Sequence, residues 1–133
     1  MPTTVVSRPA TFAALAKAVQ VGLPVQRLDQ FQRRSGLPAS SLARVLRLPP
    51  RTLARRRKAG RLAPPESDRL LRITQLFERA TTLFDHDTAS AAAWFLAPCR
   101  ALGGATPLAV SETEVGAAHV EQLLGRLEHG VFS

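Results

Sequence analysis

The stretch SSLARVLRLPPRTLARRRKAG, Ser40 to Gly60, decides how the rest of the chain is read. Leu42, Ala43 and Leu46 lie on one face of a first helix over about Ser40 to Arg47, and Leu48-Pro49 turns the chain. Pro50 suits the first position of a second helix, which Gly60 stops. Ala43 allows two helices to cross closely, and Leu53 is the matching core anchor on the second. This is the layout of a helix-turn-helix, with two departures: Arg47 replaces the usual small turn glycine, and Arg56 holds a position that is often apolar.

With Leu53 inward, Arg51, Thr52, Arg55 and Arg56 project from the N-terminal and exposed faces of the second helix, and Arg57, Lys58 and Arg61 reach toward phosphates. The planar fork of arginine suits bidentate contact with guanine or a phosphate, and Thr52 suits a thymine methyl. DNA-binding candidates are therefore Arg51, Thr52, Arg55, Arg56, Arg57 and Lys58.

Charge outside this stretch points the same way. Of 133 residues, 18 are Lys or Arg and 10 Asp or Glu, but residues 1–61 hold 13 of the cations against one acid, Asp29, a balance of +12. The remainder holds five cations and nine acids, a balance of −4. The halves therefore differ in role, residues 1–61 meeting a polyanion and residues 62–133 something else.

Helix signals recur along the chain and period-two β-branched runs are missing, so the fold class is all-α, a helix-turn-helix half packed against a second helical half. Further helices are expected over about Ala10 to Val21 and Val25 to Arg34, with residues 1–7 a loose tail. Pro64-Pro65 reads as a junction before the longest helix signal, Glu66 to Phe84. Leu70, Ile73, Phe77, Ala80 and Phe84 form one apolar stripe there, which suits the core or a dimer surface. Asp87 caps a short helix carrying Trp94 and Phe95 that Pro98 ends, and a loop with Gly103-Gly104 and Pro107 follows. Ser111-Glu112-Thr113-Glu114 has the capping-box pattern for a last helix, with Ser111 as the cap, buried through Val120, Leu123, Leu124 and Leu127 and closed by Gly130.

Chemistry-bearing constellations are not found. There is no glycine-rich loop followed by Lys-Ser/Thr, no His-Glu-x-x-His and no cysteine pair; Asp85-His86-Asp87 reads as a helix-junction cap, and Cys99 as a small buried hydrophobe. No catalytic residue, metal ligand or cofactor is expected, and the chain is not read as an enzyme. A single cysteine, no membrane-length apolar run and no signal-like cleavage site suit the cytoplasm.

Five ordered blocks then carry a resemblance: GRLAPPESDRLLRITQLFERA (Gly60 to Ala80), A-x-x-W-F-L-A-P (Ala91 to Pro98), ALGGATPL (Ala101 to Leu108), T-E-V-G-A (Thr113 to Ala117) and LLGRLEHGVFS (Leu123 to Ser133). From about Leu37 onward the chain resembles the Xre/MbcA/ParS antitoxins of bacterial type II toxin-antitoxin systems. The resemblance implies an all-helical, commonly dimeric protein with two roles. An Xre-like DNA-binding half represses its own operon, and a C-terminal half binds a RES-domain toxin, an ADP-ribosyltransferase-like protein that degrades NAD or uses it to modify a protein. It further implies that the last residues lie near the toxin's active-site entrance, making Arg126, Glu128, His129, Gly130, Val131, Phe132 and Ser133 the toxin-binding candidates. A stand-alone helix-turn-helix regulator is the alternative.

Overall fold

The computed structural model describes residues 11–130, which form eight α-helices and no strand. In order they are α1 (Phe12–Val21), α2 (Gln26–Ser35), α3 (Ala39–Leu46), α4 (Pro50–Ala59), α5 (Pro64–Leu83), α6 (Thr88–Leu96), α7 (Pro107–Val110) and α8 (Glu114–Glu128), with a 3-10 turn over Arg100–Leu102. The expected tail over residues 1–7 lies outside the described residues.

Local chemistry sets these boundaries. The Thr11 hydroxyl accepts from the Ala14 amide at the start of α1, and the Asp87 carboxylate accepts from the Ser90 amide at the start of α6. Arg47, in the place of the turn glycine, has φ 56° and closes α3 in the left-handed region, where its amide donates to the Arg44 carbonyl.

Three expectations are corrected. Pro64 and Pro65 are not a junction but the first turn of α5, where their missing N–H groups cost no intrahelical bond. Between Gly104 and the last helix, Thr106 caps the one-turn helix α7, which the loop reading passed over. Finally, Ser111 is not the cap of α8: its backbone (φ −74°, ψ 1°) still turns with α7, and its buried hydroxyl donates to the Pro107 carbonyl. Thr113, extended at φ −109° and ψ 159°, accepts from the Gly116 amide instead.

The long helix α5 is the shaft on which the other elements are mounted, packing against α1, α2, α3, α6 and α8. Its stripe of Leu70, Ile73, Leu76, Phe77 and Ala80 is buried within the chain, so that stripe belongs to the core and offers no dimer surface. One continuous apolar cluster runs from Leu23, Leu28 and Phe31 through Leu42, Leu46 and Phe77 to Phe95, Val120 and Leu124. Phe77 stands at its centre, edge-on to Phe31 of α2 (ring centroids 5.6 Å apart) and stacked on Phe95 of α6 (5.8 Å). The basic and acidic parts of the sequence therefore share one core.

Candidate functional site

The helix-turn-helix forms as the sequence implies, with α3 and α4 joined by Arg47-Leu48-Pro49. Leu48 is buried, and its amide donates to the Ala43 carbonyl, which pins the turn against α3. α4 itself contains no buried residue, and only Leu53 packs, half-buried, on the core. An apolar contact that small cannot hold a ten-residue helix at a fixed angle, so polar contacts do much of it.

Two carboxylates brace α4. Arg56 Nε and Nη2 donate to Oε1 and Oε2 of Glu66 at 2.8 and 3.0 Å, and Arg57 Nη1 and Nη2 donate to Oδ2 and Oδ1 of Asp29 at 2.8 and 2.9 Å. Both pairs are bidentate, the geometry that suits a guanidinium to a carboxylate. They differ in setting: Glu66 is buried in the first turn of α5, whereas Asp29, on α2, and Arg57 meet at the surface.

These braces divide the arginines read from the sequence. Arg51, Arg55 and Lys58 are exposed along α4 with no carboxylate within 4.0 Å among the described residues, and Thr52 is half-buried beside them. Arg56 and Arg57, expected to reach a groove and its phosphates, instead hold carboxylates of their own chain. Sequence reading missed Glu66 and Asp29 as their partners, because these lie 10 and 28 residues away. One local signal existed for Glu66: it stands three residues after Ala63, and Oε1 accepts the Ala63 amide at 2.8 Å, half of a capping box.

Residues just after Glu66 in the first two turns of α5 also grip the helix-turn-helix half. Ser67 Oγ, fully buried, accepts the Leu23 amide at 2.8 Å, and Arg69 Nη1 donates to the Leu46 carbonyl at the end of α3. An antiparallel bridge between Pro24 and Arg61 closes the same corner.

Protonation works against the braces. The Arg57 guanidinium holds the Asp29 carboxyl below its ordinary value. Burial pushes the Glu66 carboxyl up, but bonds from Arg56 and the Ala63 amide outweigh it and the net shift is downward. A carboxyl depressed on folding stabilises the fold above its unfolded value, and that stabilisation is lost as pH falls through the folded one. Amide exchange protection in α4 is therefore expected to fall away as the pH drops below about 4, the ordinary carboxylate range, ahead of protection in α5. Equal loss in both helices would show that α4 does not depend on the two carboxylates.

At the other end of the molecule, Arg79 of α5 donates to Glu128 at 2.9 Å and lies 3.8 Å from Glu121, tying the last turn of α8 to the shaft. The Arg79 bond holds the Glu128 carboxyl below its ordinary value. Arg126, Glu128, His129 and Gly130 are exposed together at the end of α8, whereas Val131, Phe132 and Ser133 lie outside the described residues. Cys99, expected to be buried, is half-exposed. Among the described residues no group of three or more His, Cys, Asp or Glu is placed to hold a metal ion, and no helix is long and apolar enough to cross a membrane.

Comparison with known proteins matches the chain to two family models in succession. Residues 14–74 match the family model of the antitoxin Xre-like helix-turn-helix domain, and residues 79–130 that of the antitoxin Xre/MbcA/ParS C-terminal toxin-binding domain. A protein of Yersinia enterocolitica named antitoxin Xre is 38% identical over 120 residues, covering 90% of this chain and 81% of its own. Another antitoxin Xre, from Photorhabdus laumondii, is 36% identical over 113 residues, covering 84% of this chain and 76% of its own.

Proposed function

The chain belongs to the Xre/MbcA/ParS antitoxin family, as an antitoxin with a helix-turn-helix and a toxin-binding domain, and from that premise we propose which toxin it neutralises and how. The toxin is of the RES class, an enzyme that attacks NAD, and the antitoxin acts by covering the entrance to its active site. Residues 1–61 serve DNA and residues 62–133 the toxin. The protein works in the cytoplasm as a homodimer, represses its own operon, and acts by binding, not by catalysis.

The observation that carries this reading is the separation of two exposed groups on one shaft. Arg51, Arg55 and Lys58 stand along α4, beside the first turn of α5, and Arg126, His129 and Gly130 end α8, which Arg79 fastens to the far part of α5. A row of exposed cations suits a phosphate backbone. The exposed end of α8 leads in sequence to Val131, Phe132 and Ser133, of which Phe132 is suited to be an apolar anchor. Two-fold DNA sites about one helical turn apart favour a dimer, which would present two copies of α4.

Co-expression with the neighbouring reading frame tests the proposal. Growth arrest and NAD loss from that frame alone, reversed by this protein in a complex that co-purifies, is the expected result. Neither toxicity nor a complex, with DNA binding intact, would leave a stand-alone regulator. Removal of residues 131–133 is expected to weaken inhibition at least tenfold and leave the melting temperature unchanged, since among the described residues no buried one follows Leu124. Full inhibition by that truncation would exclude the last three residues from the toxin contact.

A further inference from the structure

The arginine run of α4 is unusual in being half neutralised. Four consecutive cations, Arg55 to Lys58, occupy just over one helical turn and so point to every side of it. A helix presenting all four to solvent would bind any phosphate backbone in several rotations about its own axis. Reading bases demands one rotation, because each side chain must meet one base edge. Something must therefore fix the roll of α4, and its apolar contacts do not, since Leu53 alone packs on the core.

We propose that Glu66 is the positioning residue for DNA recognition: by gripping Arg56 it sets the roll of α4 and keeps that arginine off the duplex, so that Arg51 and Arg55 meet the bases. The inference rests on the proposal that α4 reads DNA. Three features single out Glu66. It is 6% exposed, and its two oxygens take Nε and Nη2 of Arg56, so the guanidinium plane is fixed as well as its distance. Its own position is fixed by the Ala63 amide in the first turn of a twenty-residue helix, an anchor far stiffer than a loop. Ser67 and Arg69, on the same turn, hold Leu23 and the end of α3, so α4 is aligned relative to the helix it must cross. The Asp29 to Arg57 pair acts in the same sense from α2, but it is exposed and screened by salt, which makes Glu66 the principal brace.

Glu66→Gln separates bracing from capping, because the glutamine oxygen still accepts the Ala63 amide while the charge that holds Arg56 is gone. Two duplexes serve as probes: one enriched by the wild-type protein from a random-sequence pool, and an unselected duplex of the same length. The ratio of their affinities is expected to fall about tenfold in E66Q. The salt dependence should steepen by about one phosphate contact as Arg56 joins the backbone, a change in slope of about 0.9. In the double variant R56Q/E66Q the ratio should fall as far while the slope stays at the wild-type value, since no cation is released. A merely structural role would lower melting temperature and both affinities together, with ratio and slope unmoved. That pattern, or an E66Q indistinguishable from wild type, would overturn the inference. Should E66Q fail to fold, R56Q alone decides: an unchanged affinity ratio overturns the proposal and a reduced ratio at unchanged slope supports it. A wild-type protein that enriches no sequence would overturn the DNA-reading proposal itself, and this inference with it.

Discussion

Phe77→Ala is expected to destabilise the protein by about 4 kcal/mol, the cost of emptying a buried aromatic site, and to lower the melting temperature by about 15 °C. Phe77 is 1% exposed, and its ring lies between Phe31 of α2 and Phe95 of α6, whose outer neighbour Trp94 meets it edge-on at 5.1 Å. Removing it opens a cavity where the helix-turn-helix half and the toxin-binding half share their core. Against a total stability of about 5–15 kcal/mol that loss is a large fraction, and both halves should unfold in a single transition. DNA binding and toxin binding are then expected to disappear at one temperature. Calorimetry on wild type and variant would decide: two separate transitions, or a variant that keeps one activity well above the temperature at which it loses the other, would mean that the halves have independent cores.

Most of the helices were legible because their signals are local. The spacing of Leu70, Ile73 and Phe77, the cap at Asp87 and the stops at Gly60 and Pro98 each depend on a few neighbouring residues, and the helix ends fall within about two residues of those signals. What failed was also local, but ambiguous. Thr106-Pro107 starts a helix of one turn in a stretch whose paired glycines signal a loop, and Ser111 resembles a cap until its hydroxyl is committed to the turn behind it. The candidate DNA surface was half legible. A run of cations is visible in any sequence, but which of them face solvent depends on carboxylates brought from elsewhere, and no periodicity foretells that Asp29 or Glu66 will meet α4. Arg56, at a position often apolar in such helices, was the one hint that this side chain turns inward.

That inward turn also changes how the charge imbalance acts. Asp29, the one acid of residues 1–61, neutralises Arg57 locally, and Glu66 of the acidic part neutralises Arg56 across the division. On α4 this leaves Arg51, Arg55 and Lys58 as the exposed cations with no carboxylate within 4.0 Å among the described residues, along one face that begins at the N-terminal turn, where helix-turn-helix proteins contact bases. Arg34 and Glu78, 3.5 Å apart at the surface, and Arg47 and Glu112, 3.8 Å apart, extend the same opposition of charge between the parts, though exposed pairs of this kind contribute little energy.

Gly116→Ala sets helix propensity against packing, and packing is expected to win. In an exposed helix interior the change would stabilise by about 1 kcal/mol, since alanine is the better helix former. Here a Cβ would run into the Val110 carbonyl oxygen at the end of α7, with the Thr113 hydroxyl crowding its other side. A carbonyl in a turn cannot rotate away like a side chain, so the first turn of α8 must lift from α7. Overpacking of that sort costs about 3 kcal/mol, leaving a net loss of about 2. The damage should stay at this corner, because α8 is held further along by Val120, Leu123 and Leu124 in the core and by Arg79 at Glu128. Faster amide exchange in α7 and the start of α8 is therefore expected, with α3 and α4 unaffected. DNA binding at α4 and toxin binding at the far end of α8 should both persist. A G116A protein more stable than wild type would show that α7 and α8 do not pack this closely. Loss of toxin binding alone would show that α8 moves as one rod, and loss of DNA binding as well would show that the shaft of α5 transmits the strain from one end of the molecule to the other.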